Sequence, residues 1–231
     1  MTGIPFGSKL GRMKPAVLAL LFASSLAFGQ KFQDVTAKGA PVSLSLKHDL
    51  ADVGPYVAIR NISTKDILAY VAITKMTDEH AQTQPCHSRS DYAFKSRRLA
   101  HQEENPLPCP LEVSDPMDPA KPGAKVIDVV SAVLFVQFDD GTTWGDLQTG
   151  KRIILDDRPK KLAFLKSLVE TYYESGEDAF NAMLNDQKLE GADALLAMHL
   201  KGDAKYDKTP AIELAKKQLA AGQGWHASGI F

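Results

Sequence analysis

The period of the apolar residues changes once along this chain, close to Lys151, and that change limits the folds that are open to it. Before Lys151 the apolar residues form short runs, several of them with the period of two that is typical of half-buried strands. After it they recur with the period of a helix, as in the stripe Leu162, Leu165, Leu168, Val169. The sequence therefore predicts a β region over residues 30–149 and a small α-helical C-terminal region over residues 150–231.

Short strands with turn residues between them account for most of the first region. The segment Val42–His48 alternates strictly, and Ile67–Thr74 is almost continuously apolar, as expected of a central strand. Further strands are predicted at Tyr56–Asn61 and Asp91–Lys95, and two more within Val126–Phe138, divided near Ser131-Ala132. About seven short antiparallel strands at this spacing predict an immunoglobulin-like β-sandwich, with a small barrel as the alternative fold.

A hairpin closes the predicted sandwich over Val133–Asp146, which reads VLFVQFDDGTTWGD. Asp140-Gly141 between two strand-like segments predicts a type I′ turn, which needs positive φ at both central residues. Asp139 and Asp146 add two more carboxylates, but their spacing is not that of a calcium-binding loop. The hairpin is therefore interpreted as architecture and not as a metal site.

Residues 76–125 are the least regular part of the chain and contain seven prolines. Proline lacks the N–H that a central strand donates, so long loops are predicted here, apart from the short strand at Asp91–Lys95. Both cysteines of the chain, Cys86 and Cys109, lie in this region, and an even count in an exported chain predicts one disulfide. A metal site that adds His87 and His101 is the alternative, but the spacing of zinc ligands is absent.

The N-terminus predicts export. Three basic residues precede the apolar run Ala16–Phe28, which is too short to span a bilayer and has the length of a signal-peptide core. Small residues at Ala27 and Gly29 predict cleavage before Gln30, so residues 1–29 are a signal peptide and the mature protein is periplasmic or secreted. Cleavage after Ala27 and an uncleaved membrane anchor are the alternatives. No later segment is long and apolar enough to predict a stable membrane span.

Four helices are predicted after the change of period. The first begins near Asp157 and ends at Gly176, and the second covers residues 178–187. The third is expected to end at Gly202 and the fourth, which opens at Thr209-Pro210, at Gly222. The following stretch, GQGWHASGIF, is rich in glycine and is predicted to be irregular.

Composition and motifs exclude several functions. A net charge of −1 gives no reason to expect nucleic acid as a partner. The chain lacks a G-x-S-x-G elbow, an H-E-x-x-H helix and a phosphate-binding loop, so no catalytic residue and no cofactor is predicted. Possible binding residues are Trp144 in the hairpin and the neighbours Trp225 and His226. The sequon at Asn61 predicts surface placement of that side chain.

Three motifs, LAYVAIT, DYAFK and VLFVQFDDGTTWGD, carry a resemblance that covers residues 42–146. In them the chain resembles uncharacterised exported bacterial proteins with a predicted immunoglobulin-like or fibronectin-III-like sandwich. The resemblance implies a fold and export, and it implies no activity. The sequence therefore predicts an exported, non-enzymatic interaction module that binds a protein or a glycan in the cell envelope or outside the cell.

Two other functions stay open. The first is an extracytoplasmic, hydrolase-like enzyme whose site is assembled from dispersed residues, for which the candidates are His87, Asp91, His101 and Glu104. The second is a structural envelope component, which would require an apolar patch on the helical region.

Overall fold

Two sheets followed by helices make up the part of the chain that the computed structural model describes, which comprises residues 30–48, 55–95, 97–109, 112–113 and 124–230. The predicted signal peptide lies outside these residues. Nine strands are found in the described part: β1 Lys31–Asp34, β2 Val42–His48, β3 Pro55–Asn61, β4 Ile67–Asp78, β5 Thr83–Asp91, β6 Glu104–Pro106, β7 Glu112–Val113, β8 Ala124–Phe138, β9 Thr143–Gly145. The broad prediction of sheets followed by C-terminal helices is confirmed.

The larger sheet is built on the antiparallel pair β4 and β8, the two longest strands. Its order is β1-β8-β4-β5, and β9 and β7 also pair with β8. The smaller sheet has the order β2-β3-β6. Every pairing is antiparallel except that of β1 with β8. The almost continuous apolarity of β4 is explained by its central place, since its residues are buried on both faces.

The main core contains residues of both sheets and of the helices. Val57 and Ile59 of the smaller sheet belong to the same buried cluster as Tyr70 of β4 and Leu165 of the helical region. A second cluster, made of Ala69, Val71, Phe135, Ile154, lies apart from the first. Because adjacent residues of a strand point to opposite faces, both faces of the larger sheet are covered.

The chain changes from strand to helix between Gly145 and Leu147. The Asp146 side chain caps the first helix by accepting hydrogen bonds from the backbone N–H groups of Gln148 and Thr149. Four helices follow: α1 Leu147–Ile153, α2 Arg158–Leu184, α3 Gly191–Asp207, α4 Ala211–Ala227. A short 3₁₀ turn, Leu155–Asp157, joins α1 to α2. None of the helices in the described part is long and apolar enough to cross a membrane.

Two predictions about the irregular region are wrong. Strand β5 lies where long loops were expected, and its Pro85 is tolerated because β5 is the last strand in its sheet. The predicted strand Asp91–Lys95 is instead a turn after the first residue, with a hydrogen bond of 2.9 Å from Lys95 N to Tyr92 O. The Asp91 carboxylate favours this turn by accepting a hydrogen bond from Ala93 N.

The hairpin is present, but its turn differs from the prediction. Gly141 has a φ of 82°, whereas Asp140 is not among the described residues with positive φ, so the turn is not type I′. Hydrogen bonds from Gly141 N to Phe138 O and from Phe138 N to Thr142 O close a longer loop. A left-handed glycine that follows a tight turn is the next most common hairpin connection.

Glycine predicted one helix end correctly and two wrongly. Gly176 has φ 84° and ψ −175°, so the helical conformation breaks there and α2 consists of two helical segments, as the sequence predicted. Gly202 and Gly222 lie inside α3 and α4, and α4 continues to Ala227 through the stretch predicted to be irregular. A Cβ atom on Gly222 would lie 2.6 Å from a ring carbon of Phe94, so this glycine permits close packing of the helix.

The sequon asparagine is buried. Asn61 is 0% exposed, and its side-chain N–H group donates to the carbonyl oxygens of Lys65 and Leu99. The prediction of surface placement is therefore wrong, because the amide is used to fix the loop after β3.

The disulfide between Cys86 and Cys109 is confirmed. It joins edge strand β5 to the segment after β6, and its two Cα atoms are 6.0 Å apart. The bridge spans 23 residues of sequence. It thereby ties the irregular region to the edge of the larger sheet.

Replacing both cysteines with alanine is expected to lower the free energy of unfolding by about 3 kcal/mol, because the unfolded chain gains the entropy of an open loop. Denaturant unfolding of the double variant and of the oxidised protein measures this difference. Reduced wild-type protein is the matched control and should lose a similar amount. Equal stability of the oxidised protein and the double variant would contradict the prediction.

Candidate functional site

The predicted binding residues occupy three different settings. Trp144 is half-buried on β9 and packs against the main core. Trp225 is half-buried on α4, where the guanidinium carbon of Arg98 lies 4.5 Å from the centre of its ring. His226 is exposed in the last turn of α4. Both tryptophans thus have packing roles, and a binding role for the three residues stays a prediction.

The carboxylates of the hairpin are engaged within the fold. Lys65 Nζ lies 2.6 Å from Asp140 Oδ2, and this contact together with hydrogen bonds from Thr142 lowers the pKa of Asp140 to about 2. Asp146 caps α1. Within the described residues no group of three or more His, Cys, Asp or Glu side chains could hold a metal ion.

The four residues of the enzyme alternative have different surroundings. Glu104 pairs with Lys47 at 3.1 Å, and His101 Nδ1 hydrogen-bonds the carbonyl oxygen of Ser63. His87 is exposed on edge strand β5. Of the four, Asp91 alone lines the cavity described next.

This cavity lies where the end of β5 meets the helices, and we call it the junction cavity. Its volume is about 140 Å³. The apolar part of its lining comes from the turn after β5, the end of α1 and α3: Phe94, Ile153, Ile154, Leu195, Leu196. The polar part comes from β5 and its turn, α2, α3 and α4: Arg89, Ser90, Asp91, Lys95, Lys161, His199, Asp203, Gln218. The cavity thus combines an apolar wall with ionisable side chains.

Asp91, which lines the junction cavity, forms a buried ion pair with Arg158. Arg158, the first residue of α2, is 0% exposed, and its Nε lies 3.2 Å from both carboxylate oxygens of Asp91. Arg158 Nη2 donates a third hydrogen bond to Asp91 Oδ1 at 2.9 Å. This arrangement fixes the Asp91 carboxylate in the plane of the guanidinium group. Arg158 does not line the cavity, so it compensates much of the negative charge of Asp91 from the opposite side of the carboxylate.

Lys161 is the cation closest to that carboxylate on the cavity side. Its side chain is 17% exposed, and its Nζ lies 3.7 Å from Asp91 Oδ2 and 5.8 Å from the centre of the Phe94 ring. Burial lowers the pKa of Lys161, and the nearby Asp91 opposes that shift. At 3.7 Å the contact with Asp91 is longer than a hydrogen bond, so the ammonium group is able to turn toward a bound anion.

Positive charge exceeds negative charge around the junction cavity. Three lining side chains are cationic, namely Arg89, Lys95 and Lys161, and two are carboxylates. One of those carboxylates, Asp91, is paired with Arg158, and Arg89 lies 3.8 Å from the Asp157 carboxylate; neither Arg158 nor Asp157 lines the cavity. The excess of positive charge that remains is that of Lys95 and Lys161 over Asp203. Burial and the neighbouring Lys95 lower the pKa of His199, so this imidazole adds little positive charge at neutral pH.

Sequence reasoning missed Arg158 and Lys161, because each looks like an ordinary surface residue of a helix. Their spacing of three was the one available signal, since it places both side chains on the same face of α2. That face meets Asp91, a residue 67 positions earlier in the chain, and no local pattern reveals such a contact.

Comparisons with known proteins found no match, so the geometry of the junction cavity is the basis for proposing a function. The chain matches no protein-family model, and no curated protein or solved structure is significantly similar to it. Cationic groups around an apolar wall are suited to bind an anion that carries a small apolar body.

Replacing Arg158 with methionine is expected to lower the free energy of unfolding by about 3–5 kcal/mol, because the Asp91 carboxylate then stays buried without its main partner. Chemical denaturation of the variant measures the loss. The double variant Asp91→Leu with Arg158→Met should recover most of it, because both charges are then absent.

The exposed Arg152 of α1 provides the matched control, and Arg152→Met should change stability by less than about 0.5 kcal/mol. A loss for Arg158→Met that is no larger than that of the control would show that the pair does not hold the junction together.

Proposed function

We propose that this protein is an exported, non-enzymatic binding protein with an immunoglobulin-like sandwich, and that its junction cavity receives a carboxylate group of the partner. The observation that carries the proposal is the excess of positive charge beside an apolar wall, with Lys95 and Lys161 close to Phe94 and Leu196 in one cavity. The partner is a protein or a glycan that presents such a group.

The strand order supports the immunoglobulin-like part of the proposal. In immunoglobulin sandwiches strands A, B and E form one sheet, and strands C′, C, F and G form the other. Here β2-β3-β6 corresponds to A-B-E, and β5-β4-β8-β9 corresponds to C′-C-F-G, with the same succession along the chain. On this assignment β1 and β7 are additions beside β8, and the junction cavity lies at the end of strand C′.

The size of the junction cavity supports a single chemical group as its occupant. At about 140 Å³ it is close to the roughly 150 Å³ of an apolar cavity that holds benzene, and below the roughly 300 Å³ at which drug-sized pockets begin. One acidic side chain, one acidic sugar substituent or a small free carboxylate fits this limit. The apolar body would lie against Phe94 and Leu196, with the carboxylate toward Lys161.

The state of Asp91 supports binding over catalysis. An enzyme of the hydrolase type needs an acid and a base that face a substrate. Asp91 is the one carboxylate of the enzyme alternative at this cavity, and the buried Arg158 holds it in three hydrogen bonds. A carboxylate held in this way by Arg158 serves to position Lys161, whose Nζ lies 3.7 Å from Asp91 Oδ2.

Benzoate is a suitable probe because it joins a ring of the right size to one carboxylate. The wild-type protein is expected to bind benzoate and not the neutral benzyl alcohol, as measured by titration calorimetry at low salt. Lys161→Met should weaken benzoate binding at least tenfold, since a hydrogen bond to a charged group contributes about 1.5–3 kcal/mol.

The matched control is Lys166→Met, which removes an exposed lysine from the same helix and should leave the affinity unchanged. Affinity should also fall as pH rises toward 10, because the lowered pKa of Lys161 removes its positive charge below the usual value of about 10.4. Benzoate keeps its charge over this range, and Lys95 remains as a second lysine of the lining, so Lys161→Met should show a smaller fall in affinity than the wild-type protein. Equal binding of benzoate and benzyl alcohol would refute the proposed site.

Export is tested separately, by fractionating bacteria that express the whole chain and sequencing the N-terminus of the product. The expected product is extracytoplasmic, begins at Gln30 and contains no free thiol, in agreement with the disulfide. A control chain in which two residues of the apolar leader are replaced by arginine should stay in the cytoplasm. A wild-type product that keeps its leader in the cytoplasm would contradict export.

A further inference from the structure

A second concave surface lies on the other side of the α1–α2 connection, and we call it the tail groove. It is open, has a volume of about 560 Å³ and is bounded by the hairpin loop, α1 and the start of α2. Leu147, Leu155 and Pro159 give it apolar walls, and Ile230 of the segment after α4 forms one side. Lys151 and Asp156 carry opposite charges, so the groove has no preference for either sign.

Gln137 of β8 lines this groove and has an unsatisfied acceptor. The residue is 3% exposed, and its side-chain Nε2 donates to the carbonyl oxygen of Ile230 at 3.3 Å. Its Oε1 atom is buried and has no hydrogen-bond partner among the described residues. If the side-chain amide were rotated by 180°, Gln137 Oε1 would face the carbonyl oxygen of Ile230. The hydrogen bond to Ile230 therefore fixes the orientation of the amide. A buried acceptor without a protein partner is rare, and either a water molecule or a ligand group that donates a hydrogen bond would satisfy it.

A side-chain amide presents a donor and an acceptor side by side, as one residue of an extended peptide does. In an extended strand the N–H and the C=O of the same residue point to the same side. Ile230 supplies only the carbonyl to Gln137, because its own N–H is bonded to the carbonyl oxygen of Trp225. The native segment therefore accepts a hydrogen bond from Gln137 Nε2 but donates none to Oε1, whereas one residue of an extended peptide would do both.

Few interactions hold the native segment in the tail groove. Its other hydrogen bonds are local, from Gly229 N to His226 O and from Ser228 Oγ to Trp225 O. Among the described residues, its contacts beyond α4 are the hydrogen bond to Gln137, a close approach of the Ile230 side chain to Gly141 and packing of Ile230 against the main core. Leaving the groove breaks these contacts and keeps the backbone hydrogen bonds of α4.

We propose that the tail groove binds an extended peptide of a partner protein through its backbone, and that residues 228–230 cover Gln137 at one side of the groove in the free protein. Gln137 is the recognition residue, pairing with the C=O and the N–H of one partner residue. Because the Ile230 side chain lies next to Gly141 in the free protein, we expect the partner residue at this position to be apolar and branched. The inference is independent of the junction cavity, which has a different lining.

The probe is the acetylated peptide HASGIF, which has the sequence of residues 226–231, measured by fluorescence polarisation. A variant truncated after Ala227 is expected to bind it at least tenfold more tightly than the whole chain, because the attached segment no longer competes. A peptide methylated on the isoleucine nitrogen lacks the N–H for Gln137 Oε1 and should bind at least tenfold more weakly.

In the truncated chain Gln137→Met should remove most of the binding, whereas Gln187→Met, at an exposed glutamine, should leave it unchanged. If the truncated chain does not fold, the whole chain with Ile230→Ser replaces it, since this change weakens the cover without shortening the chain. Benzoate binding to the same variants reports on the junction cavity separately. The proposal is overturned if neither variant binds the peptide, or if the methylated peptide binds as tightly as the unmodified one.

Discussion

The buried pair of Asp91 and Arg158 determines how the sheets meet the helices. Asp91 is the last residue of β5, and Arg158 is the first of α2, so the pair fixes the end of an edge strand to the start of the longest helix. The loss of hydration of both charges offsets much of their attraction, so such a pair contributes little net stability. Its effect is geometric, because three hydrogen bonds allow one relative orientation. The junction cavity exists because of that orientation.

Close approaches at two glycines complete the attachment of the helices. A Cβ atom on Gly150 of α1 would lie 2.5 Å from the ring of Phe135, and one on Gly222 of α4 would lie 2.6 Å from Phe94. Larger residues would push α1 away from the sheet and α4 away from the turn after β5. Phe94 also lines the junction cavity, so the packing of α4 helps to set the position of its apolar wall.

Local patterns predicted the parts of the fold that depend on local chemistry. Alternation located β2, the continuous apolar run located β4, and the count and setting of the cysteines predicted their bridge. The sequence patterns did not predict strand β5, because it is polar and contains Pro85, which is compatible with a strand at the edge of a sheet. The candidate site was not predicted for a different reason, because Lys161 and Asp91 are far apart in the sequence and come together only through tertiary packing. Nothing in the neighbouring sequence distinguishes this lysine from an exposed one.

The connection between α1 and α2 contributes to both proposed sites. Ile153 and Ile154 line the junction cavity, whereas Leu155 and Pro159 line the tail groove. A segment shared in this way would couple the two sites if it moved when either was occupied. Arg158 follows this connection directly, as the first residue of α2, and is held by Asp91, so movement would require breaking a buried ion pair. The pair of Asp91 and Arg158 therefore separates the junction cavity from the tail groove. We expect the affinity of each site for its ligand to be unaffected by occupation of the other site.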